Sequence, residues 1–283
     1  MSSRREVLRA LASIGAATVL PVDLRQATAG SEKRRLKRIG LQLYTVRDVM
    51  KNDVEGTLRR VGAIGYKEVE FAGYHGQEPA DIRRILDSLS LSAPAAHCSV
   101  SDLEERWAST VEGAHTLGHR YLVVASLPLG KEAQLDDYRR YASRLNTLGG
   151  RCKKEQMTLG YHNHDAEFRP IGESLPYDIL LEETDPELVT MELDLYWIVK
   201  AGGDPFGYFA KHRDRFSLLH VKDMEKGPRG ETTEVGNGSI DFAAMFQALY
   251  PAVRHYIVEQ EHFGGDPLTS VEKSWKYLHN LEF

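Results

Sequence analysis

Residues 188–205 read LVTMELDLYWIVKAGGDP, and the alternation within them decides the fold. Side chains two apart along a buried strand share a direction, so Glu192 and Asp194 point one way while Leu193 and Leu195 point the other. Gly202-Gly203 then stands where a following helix should stop. A β-rich run ending in a polar pair, followed by a helical segment, is one βα unit.

The unit recurs along the chain. Eight β-rich runs can be read: Ile39–Thr45, Lys67–Ala72, Ser92–His97, Arg120–Ala125, Thr158–His164, Leu188–Tyr196, Phe216–Lys222 and His255–Glu261. Between them lie helical patterns such as Val54–Ile64, Pro79–Leu89, Leu103–Leu117 and Leu135–Glu155. Gly65, Gly118 and Gly160 also fall at expected helix ends. No Pro- or Ser-rich linker interrupts the series, and no G-x-G-x-x-G follows the first strand. The sequence therefore predicts an α/β protein with a single (β/α)8 barrel over residues 38–283, with an open sheet as the alternative.

The runs share a chemistry. Gln42/Tyr44, Glu68/Glu70, His162/His164, Glu192/Asp194, His220/Lys222 and Glu259/Glu261 are polar pairs at two-residue spacing, and their opposite-facing neighbours are apolar. The apolar set should face the helices and the polar set the barrel interior. Each uncompensated buried charge costs several kcal/mol, so so many inward acids and imidazoles require a partner. A divalent cation at the C-terminal mouth satisfies them, and the alternative is a set of interior salt bridges around Lys222. Imidazole and carboxylate ligands without thiolates suit manganese, cobalt, zinc, iron or magnesium. Asp194, His220 and Glu259 are the ligand candidates, while Glu192 and Glu68 lie one layer deeper. His97 and Tyr44 are candidates for substrate contact, and Trp197 for a stacking platform under a sugar face.

The chain has 283 residues and a formal charge of −5. Residues 1–29 carry four Arg against Glu6 and Asp23, so the remainder is more acidic still. That balance argues against a nucleic-acid partner, which requires clustered Lys and Arg. Cys98 and Cys152 are too few for a disulfide framework or a Cys-rich zinc site. SRREVL at residues 3–8, an apolar stretch from Ala10 to Leu20 and Ala27-Thr28-Ala29 form a twin-arginine signal in order. Residues 1–29 are thus expected to be a removed signal peptide, directing a folded protein to the periplasm or beyond. The apolar stretch is about half of the roughly 20 residues that span a bilayer, so no stable membrane insertion is expected. Residues 30–37 read as a basic, solvated tether.

Several motifs together resemble a known family. LQLYTVRD (41–48), GYKEVEFAG (65–73), GYHNHDAEF (160–168), ELDLYWIVKAGGDP (192–205), LLHVKD (218–223) and YIVEQE (256–261) are similar to the xylose-isomerase-like TIM-barrel superfamily, and within it to the sugar phosphate isomerase/epimerase branch. The resemblance covers nearly the whole chain after Lys37. In the keto-sugar epimerases of that superfamily, Glu, Asp, His and Glu hold a metal. Their matches here are His162, Asp194, His220 and Glu259, so a histidine replaces the first glutamate, and His164 competes for its place. The resemblance implies an isomerase or epimerase that works on a keto-sugar or related polyol through an enediolate. Glu259 or Glu261 would be its base, and Glu70, Lys222 and His164 would steer protons or contact substrate. The alternatives are a lyase of the inosose-dehydratase type, acting on a keto-sugar or keto-glycoside, and a barrel that binds sugar without catalysis. An abasic-site endonuclease, also found in the superfamily, is disfavoured by charge and export. Assembly into a homo-oligomer is compatible with all of these.

Overall fold

The computed structural model describes residues 33–283, so the twin-arginine reading of residues 1–29 lies outside the described residues. Eight parallel strands close into a barrel. In chain order they are β1 (Gly40–Gln42), β2 (Glu68–Phe71), β3 (Ser92–Cys98), β4 (Tyr121–Val124), β5 (Thr158–His162), β6 (Val189–Asp194), β7 (Phe216–Val221) and, after a small antiparallel hairpin of β8 (Asp223–Met224) and β9 (Thr232–Thr233), β10 (His255–Val258). β1 closes the barrel by pairing with both β2 and β10. All eight expected strands are present, and each ends at or within three residues of its expected end. The chain leaves the ladder there to form the site.

The surrounding helices are α1 (Arg47–Met50), α2 (Val54–Ile64), α3 (Pro79–Leu89), α4 (Val100–Glu105), α5 (Trp107–Leu117), α6 (Leu135–Lys154), α7 (Pro176–Glu183), α8 (Leu195–Lys200), α9 (Pro205–His212), α10 (Phe242–Leu249) and α11 (Pro267–Asn280). The helix expected over Leu103–Leu117 is two. Ser99 and Asp102 form a reciprocal capping box that starts α4 early, and Arg106 (φ −118°, ψ 26°) breaks the helix before Trp107. Gly65 (φ 125°) and Gly118 (φ 77°) end α2 and α5 as expected. Gly160 does not end a helix. It lies in the middle of β5, where a Cβ would come within 2.9 Å of Val123 Cγ2 inside the barrel.

Two apolar layers follow from strand alternation. Leu41, Val69, Phe71, Leu193, Leu219 and Val221 pack outward against the helices in the main core. Ala95, Tyr121, Val123, Leu218 and Ile257 form a smaller plug inside the barrel. Glu68 reaches the N-terminal side of that plug, paired with Arg38 (2.8 Å) and His255 (2.8 Å), and takes no part in the site. The basic stretch read as a tether is partly docked: Arg34 and Phe283 exchange backbone hydrogen bonds (2.9 and 3.0 Å), and Arg35 pairs with Glu282. Among the described residues no helix is long and apolar enough to cross a membrane.

Adjacent glycines of α6 test this packing. A Cβ on Gly149 would lie 2.6 Å from the Leu188 carbonyl oxygen, whereas one on Gly150 would meet nothing within 4 Å. Gly149→Ala is expected to destabilise the fold by about 1–3 kcal/mol. Gly150→Ala should be neutral or stabilise by up to about 1 kcal/mol. Urea unfolding of both variants checks the contrast.

Candidate metal centre

At the C-terminal ends of the strands the inward side chains converge. His162 ends β5, Asp194 ends β6, His220 comes from β7, and Glu259 follows β10. All four are buried, and one ligand atom from each lies within 4.8 Å of the others. Asp194 is oriented from two sides: its backbone N–H donates to Asn163 Oδ1 (3.0 Å), and its Oδ1 accepts from the Trp197 N–H (2.9 Å), capping α8. Its Oδ2 points into the cluster, buried without a hydrogen-bond partner. Lys222 Nζ stands 3.5 Å away.

A layer below sits Glu192, which the sequence placed deeper and gave no definite role. Its Oε2 lies 3.1 Å from His162 Nδ1, 3.2 Å from His220 Nε2 and 2.7 Å from His97 Nε2. Glu70 Oε2 is 2.7 Å from His220 Nε2 and accepts from Gln42 Nε2 (2.8 Å). When these carboxylates accept the lower N–H of each ring, His162 Nε2 and His220 Nδ1 are left to face Asp194 and Glu259. Carboxylates behind ligating histidines set ring orientation and basicity in this way. Two imidazole nitrogens, two carboxylate oxygens and an orphaned Asp194 Oδ2 suit a divalent cation.

The electrostatics agree with that need. Burial opposes the charge of His220, yet Glu192 and Glu259 hold its pKa well above the ordinary value. His162 moves the other way, well below, through burial and the charges of His220 and His97. Burial and the Glu70 charge raise Glu192 to about 7, and burial raises Asp194. Glu259 is held well below the carboxylate range because Lys222 and His220 outweigh its burial. Lys222 is fully buried against Glu261 (2.5 Å), Glu259 (3.1 Å) and Asp194. These acids raise its pKa against the effect of burial.

Above the centre opens a cavity of about 620 Å³, walled by Tyr44, His97, His164, Trp197, Glu259 and Glu261 among others. Tyr44 is not on the strand as expected. It sits on a 3-10 turn (Leu43–Val46), half exposed, with Arg47 over its ring at 4.3 Å. Glu70 and Lys222, read as catalytic, are not among the residues that wall the cavity: Glu70 bonds His220, and Lys222 bonds Glu259 and Glu261. Cys98, Ser99, Asp102 and Ser126 also line the wall. Cys98 ends β3 beside the inward His97, whereas Ser99, Asp102 and Ser126 come from loops and α4, whose approach no alternation foretells.

Asp223 is another residue the sequence missed. Its buried carboxylate accepts from the N–H groups of Met224, Gly236, Gly238 and Ile240. It thereby pins the segment after β7, which includes Thr232. The Thr232 hydroxyl oxygen accepts from the N–H groups of Glu261 (3.3 Å) and His262 (3.1 Å), steadying the wall that carries Glu259 and Glu261.

A closed parallel barrel with an imidazole–carboxylate centre at its C-terminal mouth defines the class of TIM barrels that place chemistry at their strand ends. The chain belongs to the xylose isomerase-like TIM barrel family, whose model matches residues 58–281. Its relatives include enzymes: the inosose dehydratase of Lacticaseibacillus casei is 25% identical over 254 residues, covering 76% of this chain and 85% of the relative. A crystal structure of a sugar phosphate isomerase/epimerase from Parabacteroides distasonis is 26% identical with a TM-score of 0.76, covering 89% and 96% of the two chains. The zinc-containing structure of a protein named IOLI shares the fold, with 13% identity and a TM-score of 0.68 over 84% and 95% of the two chains.

Metal uptake carries a pH signature. Glu192 and Glu259 push the His220 pKa well above the ordinary value, and a ligating imidazole must give up its proton, so metal affinity is expected to rise with pH. The slope should be about tenfold per unit below the pKa of His220, measured by metal titration from pH 6 to 8. Asp194→Ala should lose metal on purification. Glu192→Gln should retain it with about 10–100-fold lower affinity, since only the support behind the histidines changes.

Proposed function

We propose that the chain is a divalent-metal-dependent enzyme that removes the proton beside the carbonyl of a keto-sugar or related polyol and then expels a β-hydroxyl, as a dehydratase-type lyase. The observation that carries this is the asymmetry of the cavity wall. Carboxylates Glu259 and Glu261 line one side, and imidazoles His162 and His164 line it three strands around the barrel. A carboxylate is suited to accept the carbon-bound proton and an imidazole to donate one to a departing hydroxyl. The two-glutamate arrangement that the resemblance ties to epimerisation is absent at this centre, because His162 occupies the first position.

Held by His162, Asp194, His220 and Glu259, a divalent ion would supply Lewis acidity toward a carbonyl oxygen. The protein's own groups do the rest. Glu261 is partly open to the cavity, and Lys222 grips one of its oxygens, which fixes the direction of the carboxylate that accepts the proton. Lys222 keeps its proton and orients Glu261 and Glu259. His164, whose backbone N–H is held by Glu167 Oε2 (2.9 Å), presents its ring beside Trp197 (5.5 Å between centroids) and serves as donor. Trp197 offers the apolar face for the sugar ring.

The similarity to proteins named inosose dehydratase supports the elimination step. An isomerase or epimerase is the second reading, favoured by the protein from Parabacteroides distasonis. Both share the proton abstraction. Metal-loaded protein incubated with keto-sugars in heavy water should place deuterium beside the carbonyl. Elimination should add ultraviolet absorbance from an unsaturated ketone and lose the mass of water, whereas epimerisation leaves absorbance unchanged and alters mass only by the deuterium taken up. Glu261→Gln should slow exchange by about 10²–10⁴-fold with metal content retained. Absence of both deuterium exchange and new ultraviolet absorbance over a panel of keto-sugars would overturn the reading. Export through residues 1–29 is proposed alongside it, resting on Arg4-Arg5 and the apolar run behind them. Changing both arginines to lysine should hold the full chain inside the cell, as fractionation would show.

A further inference from the structure

Beside the main cavity lies a second hollow of about 400 Å³, between the loop after β2 and helices α4 and α5. Gly73, His97, Cys98 and Asp102 border both spaces, so the hollow opens off the metal centre's own wall. Its further lining is largely apolar: Tyr74, Pro79, Ala96 and Leu122.

The polar groups around it are already engaged. Arg106 is ion-paired with Asp102. The Ser109 hydroxyl donates to the Arg106 carbonyl (3.1 Å), and the Thr110 hydroxyl donates to the Asp102 carbonyl (3.3 Å). The Tyr74 hydroxyl is taken by His119 Nε2 (3.2 Å). A guest here meets hydrocarbon and aromatic surface and no unpaired cation for a phosphate. Cavities of about 300–1,000 Å³ enclose drug-sized molecules, so the main space alone accommodates a sugar ring. The adjoining one has room for a second ring.

We propose that this hollow is a subsite for an apolar, ring-sized group attached to the sugar, so that the substrate is a glycoside-like conjugate of a keto-sugar with an aromatic group and not a free monosaccharide. The inference rests on the reading of the main cavity as a keto-sugar site. The sugar lies over the metal centre against Trp197. The attached ring passes His97 and Cys98 and lies between Tyr74 and Leu122.

Titration calorimetry on manganese-loaded protein tests this, with a hexose oxidised to a ketone at a ring carbon other than the anomeric one and with the phenyl glycoside of that same sugar, which keeps the ketone. Burying the phenyl ring should tighten binding by about ten- to a hundredfold. Ser109→Trp, an exposed change on α5 that fills the hollow, should bring the glycoside down to the affinity of the free sugar while leaving the free sugar and the manganese content unchanged. Equal affinities in the unaltered protein would overturn the proposal while leaving the keto-sugar site intact. So would a glycoside preference that persists in Ser109→Trp, which would place the ring elsewhere, as in the smaller hollow of about 210 Å³ beside Leu127 and Tyr138. If neither sugar binds to manganese-loaded protein, the keto-sugar reading itself falls, and the subsite with it.

Discussion

The upper barrel is organised by the need to compensate carboxylates held away from water. Glu70, Glu192, Asp194 and Glu259 are buried within one small volume, with Glu261 at its edge. Each would be destabilised by several kcal/mol without compensation. Lys222 supplies one fixed positive charge, and its hydrogen bonds go to the acids nearest the cavity. Glu70, Glu192 and Glu259 surround His220 and favour its charged form. A divalent ion held here would satisfy the same field more completely, with the unpartnered Asp194 Oδ2 free to serve it. The charge that makes this pole unfavourable alone is what suits it to a cation.

From that constraint follows a division between layers. The upper layer presents His162 Nε2, His220 Nδ1, Asp194 Oδ2 and Glu259 Oε2 toward one point. The lower layer, Glu192 and Glu70 with Gln42, holds the two rings in that presentation. Beneath both, the apolar plug of Ala95, Tyr121, Val123, Leu218 and Ile257 seals the barrel, with Gly160 leaving room for Val123. Side chains packed at interior density leave few alternative rotamers, so the ligand positions are set by packing as well as by charge.

The loops make a second division. Strand ends bring the acid and imidazole groups, while the β2–α3 loop, α4, α5 and the segment after β7 shape the space above them. Asp223 organises the longest of these segments, since four backbone N–H groups between residues 224 and 240 converge on it. Through Thr232 it steadies the opposite wall of the cavity.

The sequence by itself predicted, from its repeated βα units, eight strands and a barrel in preference to an open sheet, and, from alternation, the inward direction of Asp194, His220, His162 and Glu259. Period two leaves no choice of face once the outer face must meet helices. Alternation says nothing of depth, so Glu70 and Lys222 could be read as reacting groups, and only the closed barrel showed them bonded to His220, Glu259 and Glu261 and not among the residues that wall the cavity. It also ends where a strand ends, which is why Tyr44 turned out to sit on a 3-10 turn. The walls at Ser99, Asp102 and Ser126, the apolar hollow beside them and the reach of Asp223 depend on contacts between residues distant in sequence or on loops without a period. Those contacts exist only once the chain has closed, and tertiary structure alone decided them.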